Sequence, residues 1–378
     1  MKRPTRRILR TLLRILLVVV GSLALLELIL VLTSVELRIL GKYVYRNEGN
    51  ETYEGSEPLY RLSADPERVY ELVPGANVVC RGCTHPLEPK VDRTEISVND
   101  LGFRGREFPT EKGSGVFRVI ILGGSNTFGM SVGDNDTYPA RIQARLEALG
   151  HRDVEVWNAG LNAYVLSQKV AWLREIARRY QPDLVLIQDH NVGWRPLLRG
   201  DDQILGALRA NPTLIVEALP ATWGEPDDLH PRHEWLVQHL RIWRAGYAVV
   251  LYLELRAQCG GDARQFYGCI TEEWRQRFRA VSQRHSVAAL REFMAGTDLP
   301  VILVDTVDNR HCPGPDPHDR LRDVPGVRFY SFCDASKPEE YRHIHPPSYV
   351  YEWYAERLVD DLILPELQQR REVTAPLR

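Results

Sequence analysis

The sequence predicts an α/β protein in which helices cover both faces of a parallel five-stranded sheet, with one transmembrane helix ahead of it. Three observations carry this. From Phe117 onward, short apolar runs rich in Val and Ile alternate with segments of helical period, the pattern of parallel strands joined by crossover helices. The first run, Arg118–Leu122, stops abruptly at Gly123-Gly124, as a buried parallel strand does where it meets a tight turn. Far ahead of it, Ile15–Thr33 is apolar except for Ser22, Glu27 and the closing threonine. At about 1.5 Å per residue, a helix of that length spans most of a bilayer core of roughly 30 Å.

The N-terminus comes first. Lys2, Arg3, Arg6, Arg7, Arg10 and Arg14 precede the apolar span. Basic residues on that side predict a cytoplasmic tip and a remainder facing outward, so a single-pass cell-membrane protein with an extracytoplasmic main domain is expected. A cleaved signal peptide would have a shorter apolar region and a small-x-small cleavage site. Glu27 inside the span is either protonated or faces a partner helix. The 378 residues carry a net charge of only −2, which offers no broad basic field for nucleic acid.

Six cysteines fall in three local couples, Cys80 with Cys83, Cys259 with Cys269, and Cys312 with Cys333. Outside the cytoplasm such couples read as disulfides. The Cys80-Arg-Gly-Cys83 spacing also suits a redox pair or half a zinc site, but a second Cys-x-x-Cys is missing. No metal and no cofactor is therefore expected.

Three regions follow: residues 1–35 as basic tip and anchor, 36–115 as an extended lead-in packed on the main domain, and 116–370 as the main domain. The lead-in reads as irregular or β-rich, and Asn99-Asp-Leu-Gly-Phe-Arg-Gly-Arg106 places two glycines around an aromatic, as a docking loop would. After the first strand, Ser125 stands at the carboxyl edge, where open α/β sheets bind ligands. No Gly-Lys-Ser/Thr follows, so a phosphate loop is the weaker reading. Thr137 is an N-cap with Pro139 in the first turn, and Tyr138, Ile142, Leu146 and Leu149 keep helical spacing as far as Gly150. Val154–Trp157 is the second strand; Val170, Leu173, Ile176 and Tyr180 mark a helix that Pro182 stops; Leu184–Ile187 is the third strand.

A long excursion at about 193–232 exceeds an ordinary connection and reads as a lid, a rim or a helical subelement. Glu234–Ala245 is helical, with Gly246 as its cap, and Tyr247–Leu253 is expected as the fourth strand. Trp274–Ala295 is the next helix and Val301–Asp305 the fifth strand. The last helix starts near Pro347 with Tyr351, Tyr354, Leu358 and Leu362 on one stripe.

Four turns, each just after a predicted strand or just before the final helix, carry chemistry: Gly-Gly-Ser125-Asn-Thr-Phe-Gly, Asn-Ala-Gly160, His-Asn191 and His345-Pro. In that order, over about 117–362, they resemble the SGNH (GDSL-type) hydrolases, and the lead-in with Tyr70-Glu-Leu-Val-Pro resembles their membrane-anchored bacterial members. The resemblance implies a three-layer flavodoxin-like fold and hydrolysis or transfer of esters. It further implies Ser125 as nucleophile, His345 as its base, and an oxyanion hole from the backbone N–H groups of Ser125 and Gly160 and the amide of Asn191. A serine hydroxyl needs such a base, and the developing oxyanion needs preorganised donors.

The chain departs from the family pattern in three places. Gly124 replaces the Asp before the nucleophile, the third block reads Asp189-His-Asn-Val192, and Arg342 occupies the position of the acid three residues before the histidine. His343, with Glu340 at the matching offset, is a rival base but lacks the following proline. Asp334, Glu339, Glu340 and Asp305 are candidates for a relocated acid; a Ser125–His345 dyad is the alternative. Three classes of function follow: an esterase acting on acyl groups such as acetyl esters of envelope or exported glycans, an acyltransferase using the same residues, and a non-catalytic binding domain.

Overall fold

The computed structural model describes residues 3–44, 52–83, 87, 93–188, 201–210, 231–259, 272–305, 321, 323–332, 338 and 345–374. Helices α1 (Arg3–Thr33) and α2 (Val35–Val44) precede five short strands, β1 (Thr52–Gly55), β2 (Tyr60–Leu62), β3 (Tyr70–Leu72), β4 (Asn77–Arg81) and β5 (Arg93–Ser97). Then come β6 (Phe117–Gly123), the one-turn α3 (Ser125–Phe128), α4 (Tyr138–Ala148), β7 (Val154–Gly160), α5 (Leu166–Tyr180) and β8 (Leu184–Gln188). Helices α6 (Asp201–Ala210), α7 (Pro231–His239), α8 (Arg241–Cys259) and α9 (Glu272–Ala295) lead to β9 (Val301–Asp305) and β10 (Val327–Ser331). The chain closes on α10 (Ser348–Leu358), a π-helical turn (Val359–Ile363) and α11 (Leu364–Thr374). Two compact units result: Met1–Arg46 with Leu198–Val281, and Asn47–Leu197 with Ser282–Arg378.

In the first unit, Ile8–Thr33 is long and apolar enough to cross a membrane, and almost all of it is exposed. Its end is different. Leu30 and Ser34 are buried, and the Glu27 carboxyl accepts the backbone N–H groups of Arg241 and Ile242, at 2.7 and 2.8 Å. The partner that Glu27 faces is therefore the first turn of α8. Part of the 193–232 excursion is helical, as α6.

Here the structure corrects an expectation: Tyr247–Leu253 is not a strand but the middle of α8, which runs through Gly246 without a break. A short apolar run has no period that separates a buried strand from a buried helix. Tertiary context decides: the Glu27 carboxyl satisfies two N–H groups that a helix start leaves unpaired.

The second unit holds a five-stranded sheet in the order β10-β9-β8-β6-β7, every pair parallel. Val301–Asp305, expected as the fifth strand, is thus the fourth along the chain, and the fifth is Val327–Ser331 beside it. Counted along the chain, the order is 2-1-3-4-5. Crossovers leave β6 in opposite directions, which opens a crevice at the carboxyl ends of β6 and β8. Side chains alternate between faces. Val119, Ile121, Val156, Leu186 and Ile302 pack with Tyr138, Ile142, Tyr351 and Tyr354 of α4 and α10 in one buried cluster. On the other face, Trp157 of β7 meets Tyr180 of α5, ring centroids 5.2 Å apart.

The lead-in is β-rich: an antiparallel sheet β1-β4-β5 and a β2-β3 hairpin. A disulfide joins Cys80 to Cys83 at the end of β4. Cys269, Cys312 and Cys333 lie outside the described residues, and with them the other two expected bridges. Tyr70 donates its hydroxyl to the Asn162 carbonyl at 2.5 Å, and the Asn162 amide donates to Tyr60 Oη at 2.8 Å. These bonds tie the lead-in to the loop after β7.

The loop at 99–106 completes that attachment. Asn99 Oδ1 accepts the N–H groups of Leu101 and Phe103, at 3.1 and 2.9 Å, and so shapes the turn. Phe103 is buried among Trp157, Trp172 and Tyr180. The buried Arg104 pairs with Asp134 at 2.9 Å and donates to the carbonyls of Phe128, Gly129 (2.6 Å) and Val132 (2.7 Å). One guanidinium thus binds the whole segment after α3. Arg104→Ala removes the guanidinium from all three carbonyls, leaves Gly129 only the Val132 N–H and Asp134 only the Ser97 donors, and is expected to cost about 3 kcal/mol. Denaturant titration checks this; a loss under about 1 kcal/mol would show the network to be dispensable.

Candidate active site

Ser125 follows Gly123, the last residue of β6, across a single glycine. The sharp turn there needs room. A Cβ on Gly123 would stand 1.8 Å from Thr127 Oγ1 and 2.8 Å from Gln188 Oε1, so any side chain at 123 would expel α3. Gln188, wholly buried at the end of β8, fixes the turn from the adjacent strand. Its Oε1 accepts the Gly124 N–H at 3.0 Å and the Thr127 hydroxyl at 3.2 Å. Ser125 is left partly exposed at the mouth of the β6–β8 crevice.

His345 Nε2 stands 2.8 Å from Ser125 Oγ, across 220 residues of sequence. Two hydrogen bonds hold the histidine segment, just ahead of α10, against the serine turn. Ser131 Oγ donates to the Pro346 carbonyl at 3.0 Å, and Tyr351 Oη donates to Asn126 Oδ1 at 3.0 Å. The first fixes the residue after the histidine. The second fixes the first turn of α10 to the residue after the serine. Burial pushes the Tyr351 and Tyr138 hydroxyls above their ordinary value of about 10.

The neutral phenols are therefore the form that the fold prefers. Their stabilisation is full below the unfolded value near pH 10 and is lost as pH rises beyond it. The melting temperature should fall between about pH 10 and pH 12, together with the rise of phenolate absorbance. A flat melting curve over that range would show that the two hydroxyls stay accessible.

Gly160 ends β7 opposite Gly123. Its lack of a side chain answers to packing: a Cβ would lie 2.2 Å from the Phe128 backbone nitrogen and 2.6 Å from the Thr127 carbonyl carbon. Its N–H donates to Asn158 Oδ1 at 2.9 Å. Asn191, Asp334, Glu339, Glu340, Arg342 and His343 lie outside the described residues, and so does the side chain of Asp305 at the end of β9. Among the described residues, no group of three or more His, Cys, Asp or Glu side chains could hold a metal ion.

Sequence reasoning missed several supporting residues. Lys169 is 0% exposed, and its Nζ donates to the Gln188 carbonyl at 2.7 Å, just ahead of the Asp189-His-Asn191 turn. A signal existed: Lys169 is in phase with Leu173, Ile176 and Tyr180 on the buried stripe of α5. Ser131 and Gln188 carried no such signal, because their partners come from distant segments. Chemically, the arrangement can pass a proton from a hydroxyl to an imidazole at hydrogen-bond distance. No protein-family model matches this chain, and no curated protein matches it.

Proposed function

We propose that this protein is a membrane-anchored serine esterase of the SGNH (GDSL) type, with its catalytic domain outside the cytoplasm and α1 as the anchor. The observation that carries the reading is the 2.8 Å contact between Ser125 Oγ and His345 Nε2 at the carboxyl edge of the sheet. The strand order 2-1-3-4-5, which is the flavodoxin-like order, supports it.

In this mechanism, Ser125 Oγ attacks the ester carbonyl while His345 Nε2 takes its proton. The tetrahedral oxyanion collapses, His345 returns the proton to the leaving alcohol, and an acyl-enzyme remains. Water, activated by the same histidine, releases the acid. The oxyanion donors assigned by resemblance are the N–H groups of Ser125 and Gly160 and the Asn191 amide. For Gly160 this requires the Asn158 side chain to yield its bond.

The substrate class is an acyl ester, acetyl groups on envelope or exported glycans being the first choice. The purified full chain should hydrolyse p-nitrophenyl acetate, and a fluorophosphonate should label Ser125. Adding glycan acceptors separates hydrolysis from transfer: acetylated acceptor in place of free acetate would assign an acyltransferase. A folded chain that neither turns over the ester nor takes the label would exclude the esterase reading.

A further inference from the structure

Among the described side chains of α8, the exposed positions from Trp243 to Leu253 are all apolar, and the first exposed charge is Arg256 near the end of the helix. Among residues 241–250 and 253, whose side chains are described, the exposed ones are Trp243, Gly246, Val249 and Leu253. Spaced by three and four, they form one stripe on the helix. Trp235 and Leu240 extend the apolar surface into α7 and the corner between the helices. Trp235 is 54% exposed and Leu253 56%, values that a water-facing helix reserves for charged residues.

His239 is exposed and stacks on Trp235, while the charges of Glu36 and Arg244 are turned inward. Glu36 is buried and pairs with Arg241 at 2.8 Å, while the buried Arg244 donates to the Val237 carbonyl at 2.8 Å and the Gln238 carbonyl at 2.5 Å. Charges satisfied internally suit a surface that meets hydrocarbon.

The position of the corner along α1 identifies what covers it. Glu27, whose carboxyl takes the first N–H groups of α8, stands six residues before Thr33. That places the start of α8 about 9 Å below the end of the apolar span. Interfacial helices bury their apolar faces about 5–10 Å into a leaflet, with aromatic rings near the headgroups. The bare stripe of α8 begins at Trp243, one residue after the N–H groups that Glu27 holds at this depth.

We infer that α7 and α8 form a second membrane contact, with Trp235, Leu240, Trp243, Val249 and Leu253 embedded in the leaflet that holds the C-terminal end of α1. The inference rests on the reading of α1 as the anchor. The occupant of the patch is lipid. Glu27 is then a built connection between the spanning helix and the interfacial one.

The test uses the full chain reconstituted in phosphatidylethanolamine–phosphatidylglycerol vesicles, with plain or brominated acyl chains. Brominated chains should quench tryptophan fluorescence, and a Trp235→Phe/Trp243→Phe variant should lose about half of that quenching or more. Phenylalanine keeps the surface apolar, and a thermal melt confirms that the variant folds. An alkaline carbonate wash reports on α1 independently. A chain that survives the wash but shows equal quenching in wild type and variant would overturn the second contact while leaving the anchor in place. A chain stripped from the vesicles would overturn the anchor and the inference with it.

Discussion

Ser125→Ala is expected to lower ester turnover on the order of 10⁶-fold while leaving the protein folded, because loss of an activated serine abolishes the covalent route. The residual rate would reflect substrate binding and oxyanion donors alone. The fold has little to lose. Ser125 is partly exposed, and the bonds that its carbonyl accepts from the N–H groups of Gly129 and Met130 belong to the backbone, which alanine keeps. His345→Gln should cost a similar factor, and the double variant little more than either, since the pair works as a unit. The measurement is steady-state hydrolysis of p-nitrophenyl acetate by wild type and variants. Wild-type turnover that persists in Ser125→Ala would place the chemistry on another nucleophile.

Gly160→Ala is the second large effect, and it separates packing from catalysis. A Cβ at 160 meets the Phe128 backbone nitrogen at 2.2 Å, a contact that no rotamer change relieves. Either β7 or α3 must move, and α3 begins at Ser125. Overpacking against rigid backbone costs about 3 kcal/mol. A shift of about 1 Å at the nucleophile costs a further hundred-fold or so in rate. Both losses should appear together, read from denaturant titration and from kcat. An alanine variant with unchanged stability and a hundred-fold lower kcat would mean that Gly160 serves the oxyanion alone.

The distinction matters because sequence and structure give this glycine different reasons. The resemblance gives Gly160 the role of an oxyanion donor through its backbone N–H. In the folded chain the closest approach is made by α3 itself, and the N–H is engaged by Asn158. Residue type and position were legible; the neighbour was not, since α3 and β7 meet only once the sheet has formed.

Arg104 and Lys169 teach the same lesson from the polar side. Arg104 reads as one charge among several in a Gly-rich loop, yet it collects three carbonyls and a carboxylate after α3. Lys169 reads as a surface lysine unless its phase on the α5 stripe is counted.

What the sequence determined by itself was local. An apolar run ending at paired glycines specifies strand and turn within a few residues, and Thr137, Pro139 and Gly150 bound α4 by capping and backbone chemistry. The length and apolarity of Ile15–Thr33, which lies within the apolar helical stretch Ile8–Thr33, likewise need no partner to be read. Tertiary structure decided whatever depends on contacts between distant segments. It made Tyr247–Leu253 helical against the strand reading, brought Val327–Ser331 to the sheet edge, and set His345 beside Ser125. The physical reason is the same in each case. A short apolar run or a lone polar side chain has several nearly equal local states, and the choice among them is made by hydrogen bonds and buried area that exist only when remote segments meet.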